Sequence, residues 1–230
     1  VAEPYMVAPR YGGPEYETIA ALGSNCGIDD LKIIAKGNEL AAAYGLDSIS
    51  CGSVIAFAME CFEHGLLKSR DTGGLDLRFG NGAAMLEMIE QIALRQGLGA
   101  VLSEGVAGAA KKIGPAAGEF ALHIKGQEIP MHEPRWKQGM GVGYIMSPTG
   151  ADHCHNMHDT AYTDPNPLLE DLKAVGILEP LPLNDLSSAK IRLLIYNSLW
   201  IHFLNCAVCC YFVIVYGLVG FDRMAHLVSS

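Results

Sequence analysis

Basic residues are scarce. Lys and Arg number 16 against 25 Asp and Glu in 230 residues, a formal charge of -9, and nowhere do they form a block. A phosphate-neutralising surface needs clustered Lys and Arg, so nucleic acid is not an expected partner. A disulfide pattern is lacking as well. The seven cysteines (Cys26, Cys51, Cys61, Cys154, Cys206, Cys209, Cys210) are odd in number and mostly sit inside apolar helical patterns. Such usage suits a reducing cytoplasm. Signal peptide, internal repeats and low-complexity tracts are missing, and the chain opens on Val1 rather than Met, as a fragment would. Charge is also absent from Phe203 to Phe221, a run about as long as a bilayer crossing. Asn197, Ser198, His202 and Asn205 recur on the same helix, and no Lys or Arg follows until Arg223. Those features favour a buried core helix over a span, and no membrane partner is expected.

Apolar residues, by contrast, make up half the chain, enough for the sizeable core of one large domain or two small ones. Three prolines and four glycines make residues 1–28 an irregular lead-in. Within it Glu15 and Glu17 bracket Tyr16. Extended backbone would place both carboxylates on one face as an acid/base pair, whereas spacing alone favours an acid-rich first helical turn before Thr18. From Asp29 or Asp30, Leu31, Ile34, Ala35, Leu40 and Ala41 predict a helix stopped by Gly45. A second helix is predicted from about Ser50 to Glu63, with Val54, Ile55, Ala58, Met59 and Phe62 on its buried stripe. A third runs from Asn81 to Gly97, and a fourth, glycine-interrupted, from about Ala100 to Lys112. The texture changes at residues 113–118, the expected domain junction. Ala121 to Ile129 then alternates like a hairpin with Lys125-Gly126-Gln127 at its turn. A connector rich in proline covers Asp164 to Pro182, with a short helix at Leu168 to Val175. Ser187 or Ser188 caps a long helix to about Val215. The expected fold is mainly α, multihelical, with at most a short β-hairpin.

Chemistry concentrates in Ser147 to Asp159, SPTGADHCHNMHD, whose last eight residues hold three histidines, a cysteine and two aspartates. If Asp152 to Asp159 is helical, Asp152 faces His155, Cys154 faces His158, and His155 faces Asp159. Zinc could accept such a set, but no second Cys/His pair stands at zinc-site spacing. Cys206, Cys209 and Cys210 form a CxxCC, a stronger soft-metal signal on a turn and ordinary core spacing on a helix. Gly141-Val142-Gly143 follows no buried strand and lacks a third glycine, which argues against a dinucleotide loop.

Four stretches carry a resemblance: Gly13 to Leu67, LDLRFGNGAAMLEMIEQIALRQGLGAVLSEGV, KGQEIPMHEPR and GYIMSPTGADH. They resemble the two carboxyl-terminal domains of the tungsten-dependent aldehyde ferredoxin oxidoreductase family. The resemblance implies helical domain 2 at 1–118 and domain 3 at 119–230, with a tungsten or molybdenum bis-pterin and a 4Fe-4S cluster as cofactors. It implies interconversion of aldehyde and carboxylate, with ferredoxin or another electron-transfer subunit as partner. A related branch acts on benzoyl-coenzyme A, so the substrate is a small aldehyde or an acyl-CoA. A non-catalytic metal-binding or subunit-interaction module is the third reading, and an oligomer stays open.

Carried over residue by residue, the resemblance places catalytic roles on His153, Glu17 and Glu15. Pterin contacts fall on Gly45, Leu46 and Asp47, and on Asn205 and Cys209 of the second motif, with Cys210 as a cluster ligand. Asn205 stands where the family has Asp, and Ala42 where it tends to have an acid. The remaining cluster cysteines and the pterin-enclosing amino-terminal domain would lie upstream of Val1, so the chain alone would not assemble the whole site. No ExxH for an iron-bridged dimer occurs; the corresponding helix reads Glu87-Met88-Ile89-Glu90.

Overall fold

The computed structural model describes residues 4–155, 158–166, 169–170, 172–210, 212 and 226. The chain packs as two compact units, Val1–Met131 with Thr149–Ala151, and His132–Pro148 with Asp152–Ser230. Mainly helical architecture is borne out: the only strands among the described residues form one two-stranded hairpin.

In the first unit, α1 (Tyr16–Leu22) begins where Glu15 accepts a hydrogen bond from Thr18 N. The acid-rich helical turn is therefore the local structure, and the two carboxylates diverge: Glu15 is exposed and Glu17 buried. Asp30 caps α2 (Leu31–Tyr44), which ends on left-handed Gly45. Asp47 caps α3 (Ser48–Glu63) by accepting from Ile49 N and Ser50 N. The expected single stripe on α3 is corrected. Ala56 and Phe57 are buried with Val54, Ile55, Ala58 and Met59, while Phe62 is half-buried. A helix apolar on all faces lies inside its core. Gly52 lets α1 approach α3, since a Cβ there would sit 2.6 Å from the Ala21 carbonyl.

Asn81 caps α4 (Gly82–Leu94), which stops at left-handed Arg95 rather than Gly97. The expected fourth helix is two pieces, α5 (Gly99–Leu102) and α6 (Gly105–Ile113). The break is held from a distance: buried Glu128 accepts from Val106 N at 2.7 Å, beside Gly105 at φ 73°. Glu128 sits on the hairpin, where β1 (His123–Ile124) pairs antiparallel with β2 (Gln127–Glu128). Lys125 and Gly126 both take positive φ, as a two-residue primed turn requires. The hairpin packs within the first unit, so the compact unit continues past the 113–118 texture change to Met131.

The glycine run in the second unit is helical, α7 (Gln138–Met146). Its amino terminus is capped from outside by Asp159, which accepts from Gly139 N (3.1 Å) and Met140 N (2.9 Å). A Cβ on Gly139 would stand 2.5 Å from Asp159 Oδ1, which explains that glycine without any nucleotide loop. Lys190 Nζ meets the same oxygen at 2.7 Å, and both side chains are fully buried. Lys190 belongs to α8 (Ser188–Cys206), capped by Ser187 Oγ. This helix ends at Cys206, with Val208 in a left-handed conformation, and does not run on to Val215. Leu169, Leu172 and Ile177 of the connector and Tyr162 pack on Leu193 and Leu194 of α8. No described helix is long and apolar enough to cross a membrane. Most of Phe203 to Phe221 lies outside the described residues.

Candidate functional site

In the first unit, local capping brings two expected site segments to the same end of the α1–α3 pair. Thr18 Oγ1 and Ser48 Oγ hydrogen-bond at 2.8 Å, joining the start of α1, which carries Glu17, to the start of α3, which follows Gly45-Leu46-Asp47. Glu17 is 3% exposed, and its Oε2 accepts from Met131 N at 2.8 Å; Tyr16 Oη donates to Met131 O at 2.7 Å. Glu15 is spent as a helix cap. Gly45 has nothing within 4 Å of where its Cβ would be, so its backbone is open to close approach by a flat ligand.

In the second unit the expected site residues start from a turn. Asp152 Oδ1 accepts from Cys154 N (2.7 Å) and Oδ2 lies 3.1 Å from His155 Nε2. That Asx-type turn presents His153 to His155 as one 3-10 turn. The helical reading of Asp152 to Asp159 is corrected accordingly. The expected pair Asp152–His155 forms, whereas His158 stands in extended backbone and Asp159 turns away to α7 and Lys190. His153 Nε2 lies 3.5 Å from Cys154 Sγ. Ligand atoms of Asp152, His153 and Cys154 fall within 4.8 Å of one another. Both Asp152 oxygens also serve the turn.

His153 also meets two imidazoles. Its ring centroid is 5.2 Å from His132 and 5.9 Å from His158, and those two are 4.6 Å apart. Lys137 Nζ lies 3.2 Å from His132 Nδ1. His132 and Lys137 carried no expected role; His132 stands in the quoted KGQEIPMHEPR, but nothing local in the sequence ties it to the histidines beyond α7. His155 stacks toward His202 of α8 at 5.0 Å, which ties the His153 turn to the end of the helix that leads into Asn205 and Cys210. An apolar cavity of about 390 Å³ opens there, lined by Val142, Met146, Leu194 and Leu199 with His155 and His202.

Cysteine burial sorts the thiols. Burial, with Cys51 adding, pushes Cys26 up to about 12; burial, with Asp47 adding, does the same for Cys51; burial raises Cys61 to about 11. Those three are core thiols, not ligands. Cys206 closes α8, and Cys209 and Cys210 follow the turn at 207–208, half-buried and exposed. Core spacing therefore does not apply to Cys209 and Cys210. Thiolate chemistry at Cys210 suits iron, and open backbone at Gly45 suits a pterin, so the residues present fit the implied groups.

Residues 2–230 match the family described as aldehyde ferredoxin oxidoreductase, domains 2 and 3. A tungsten-containing aldehyde ferredoxin oxidoreductase of Pyrococcus horikoshii is 42% identical over 144 residues, covering 61% of this chain and 23% of the relative. The Thermococcus kodakarensis protein of the same description is 41% identical over 145 residues, covering 63% of this chain and 24% of its own length. The chain thus spans about a quarter of the curated relatives it matches. Among solved structures, the active-site complex BamBC of benzoyl-coenzyme A reductase with 1,5-dienoyl-CoA is similar at TM-score 0.52 and 27% identity, over 72% of this chain and 25% of that one.

Proposed function

The chain belongs to the aldehyde ferredoxin oxidoreductase family, and from that premise we propose that it is the carboxyl-terminal part of a tungsten bis-pterin, iron-sulfur oxidoreductase converting aldehydes to carboxylates. Ferredoxin or another low-potential carrier takes the electrons, and the enzyme works in the cytoplasm. The observation that carries the reading is the match over residues 2–230 together with relatives at about 40% identity named as tungsten-containing aldehyde ferredoxin oxidoreductases. Molybdenum stands as the substitute metal. When bound, the metal-pterin group supplies the two-electron acceptor.

This chain's own residues do the rest. His153, on a turn fixed by Asp152, holds or moves a proton at the substrate oxygen, because an imidazole serves as acid and base near neutral pH. Glu17, buried with one oxygen held by Met131 N, acts as base toward water or the substrate carbon. Glu15 orders the turn that presents it. Gly45, Leu46 and Asp47 would hold pterin, as would Asn205 and Cys209, and Cys210 would ligate the iron cluster. His153→Ala in the full-length enzyme is expected to lower kcat about 10²- to 10⁴-fold with tungsten content retained. Unchanged turnover removes His153 from the chemistry.

A second reading, reduction of an aromatic acyl-coenzyme A ring, is favoured by the similarity to the benzoyl-coenzyme A reductase complex. Parallel assays of aldehyde oxidation and benzoyl-coenzyme A reduction separate the two. A non-catalytic metal-binding module is supported instead if the native protein holds stoichiometric zinc without tungsten or iron.

A further inference from the structure

The second unit gathers more imidazole around His153 than the proposed chemistry at that residue uses. His132, His153 and His158 come from three separate segments: the stretch before α7, the Asp152-capped turn, and the extended backbone beyond it. Their centroids lie 4.6 to 5.9 Å apart, and all three rings are half-buried. At such separations, rotation about Cβ–Cγ brings facing ring nitrogens within hydrogen-bonding reach, about 3 Å. Lys137 Nζ lies 3.2 Å from Nδ1 of His132. The set thus has a direction: His153 at one end, His132 in the middle and half-exposed Lys137 at the other.

We infer that His132 is the proton outlet of His153, passing protons between that residue and the Lys137 edge. The inference rests on the role proposed for His153. Oxidation of an aldehyde, RCHO + H₂O → RCOO⁻ + 3 H⁺ + 2 e⁻, sends its electrons to the low-potential carrier but leaves three protons to be cleared. One imidazole stores a single proton, so turnover stalls unless His153 is emptied. His132 empties it without touching substrate, which makes it a positioning and relay residue. His158, edge-on to both rings, keeps them in register. In ring reduction the same path runs inward.

The test uses the full-length, tungsten-loaded enzyme. His132→Ala is expected to lower kcat about 10²-fold, within the range of a lost proton-transfer group. KM stays within about twofold, tungsten is retained, and added imidazole restores turnover in proportion to its concentration. Unchanged kcat, or a loss that imidazole does not repair while tungsten is retained, overturns the relay. Should the Ala variant lose tungsten, His132→Gln decides: a lowered kcat with a larger solvent deuterium isotope effect supports the relay, and wild-type values for both overturn it. His153→Ala, run alongside, keeps the two ideas apart. If it leaves turnover intact, the reading of His153 fails; if it abolishes turnover while His132→Ala does not, the relay alone fails.

Discussion

Two helices, α3 in the first unit and α8 in the second, solve the problem of burial in opposite ways. On α3 every buried residue is apolar, small or a neutral thiol, and neighbours fit around it because Gly52 yields space to Ala21. On α8 the buried set includes Lys190, whose ammonium has no exposure and is answered by Asp159, itself answered by two amides of α7. Apolar packing tolerates many arrangements of similar energy. A buried charge tolerates few, because each unmet bond costs the full desolvation of the group. The unit with the histidine cluster is therefore fixed in register by a polar tie, at a cost in stability, while the first unit supplies a packed scaffold.

The largest test of that contrast is Lys190→Met, which strands Asp159 as an uncompensated buried charge. It is expected to destabilise the second unit by about 3–5 kcal/mol, read as lost hydrogen-exchange protection across α7 and α8. Replacing both partners, Asp159→Leu with Lys190→Met, recovers most of that loss if the pair acts through specificity rather than net energy; no recovery breaks the contrast. Met59→Ala in the first unit removes only packing and is expected to cost about 2–5 kcal/mol, confined to α1–α4 protection. Smallest is a difference in labelling with no effect on fold. At pH 8, Cys26 and Cys51 stay neutral thiols because burial raises them to about 12, so iodoacetamide spares them, while exposed Cys154 and Cys206 are modified. Labelling of Cys26 at a comparable rate in the native protein contradicts the burial of the first core.

The helices of the first unit were legible because their signals are local. Asp30 and Asn81 cap where their position before an apolar run says they should, and Gly45 stops α2. Lys125-Gly126 announces the hairpin in the same way. Legibility failed wherever a distant side chain decides. Glu128 splits the expected fourth helix at Gly105, and Asp159 starts α7 in a glycine run where no helix was expected. Within the candidate site, Glu17, His153 and the Gly45 turn could be named from motifs, but His132 and Lys137 could not, since no spacing rule joins them to His153.

By itself the sequence determined the helical class, most first-unit boundaries and the family, since caps, periodicity and motif residues act through neighbours a few positions away. Only the tertiary structure decided that Asp159 belongs with Lys190 rather than with His155, and that His132 belongs with His153 and His158. Those pairings satisfy buried polar groups across long stretches of chain, and such groups find partners by where the backbone returns, which local composition does not encode.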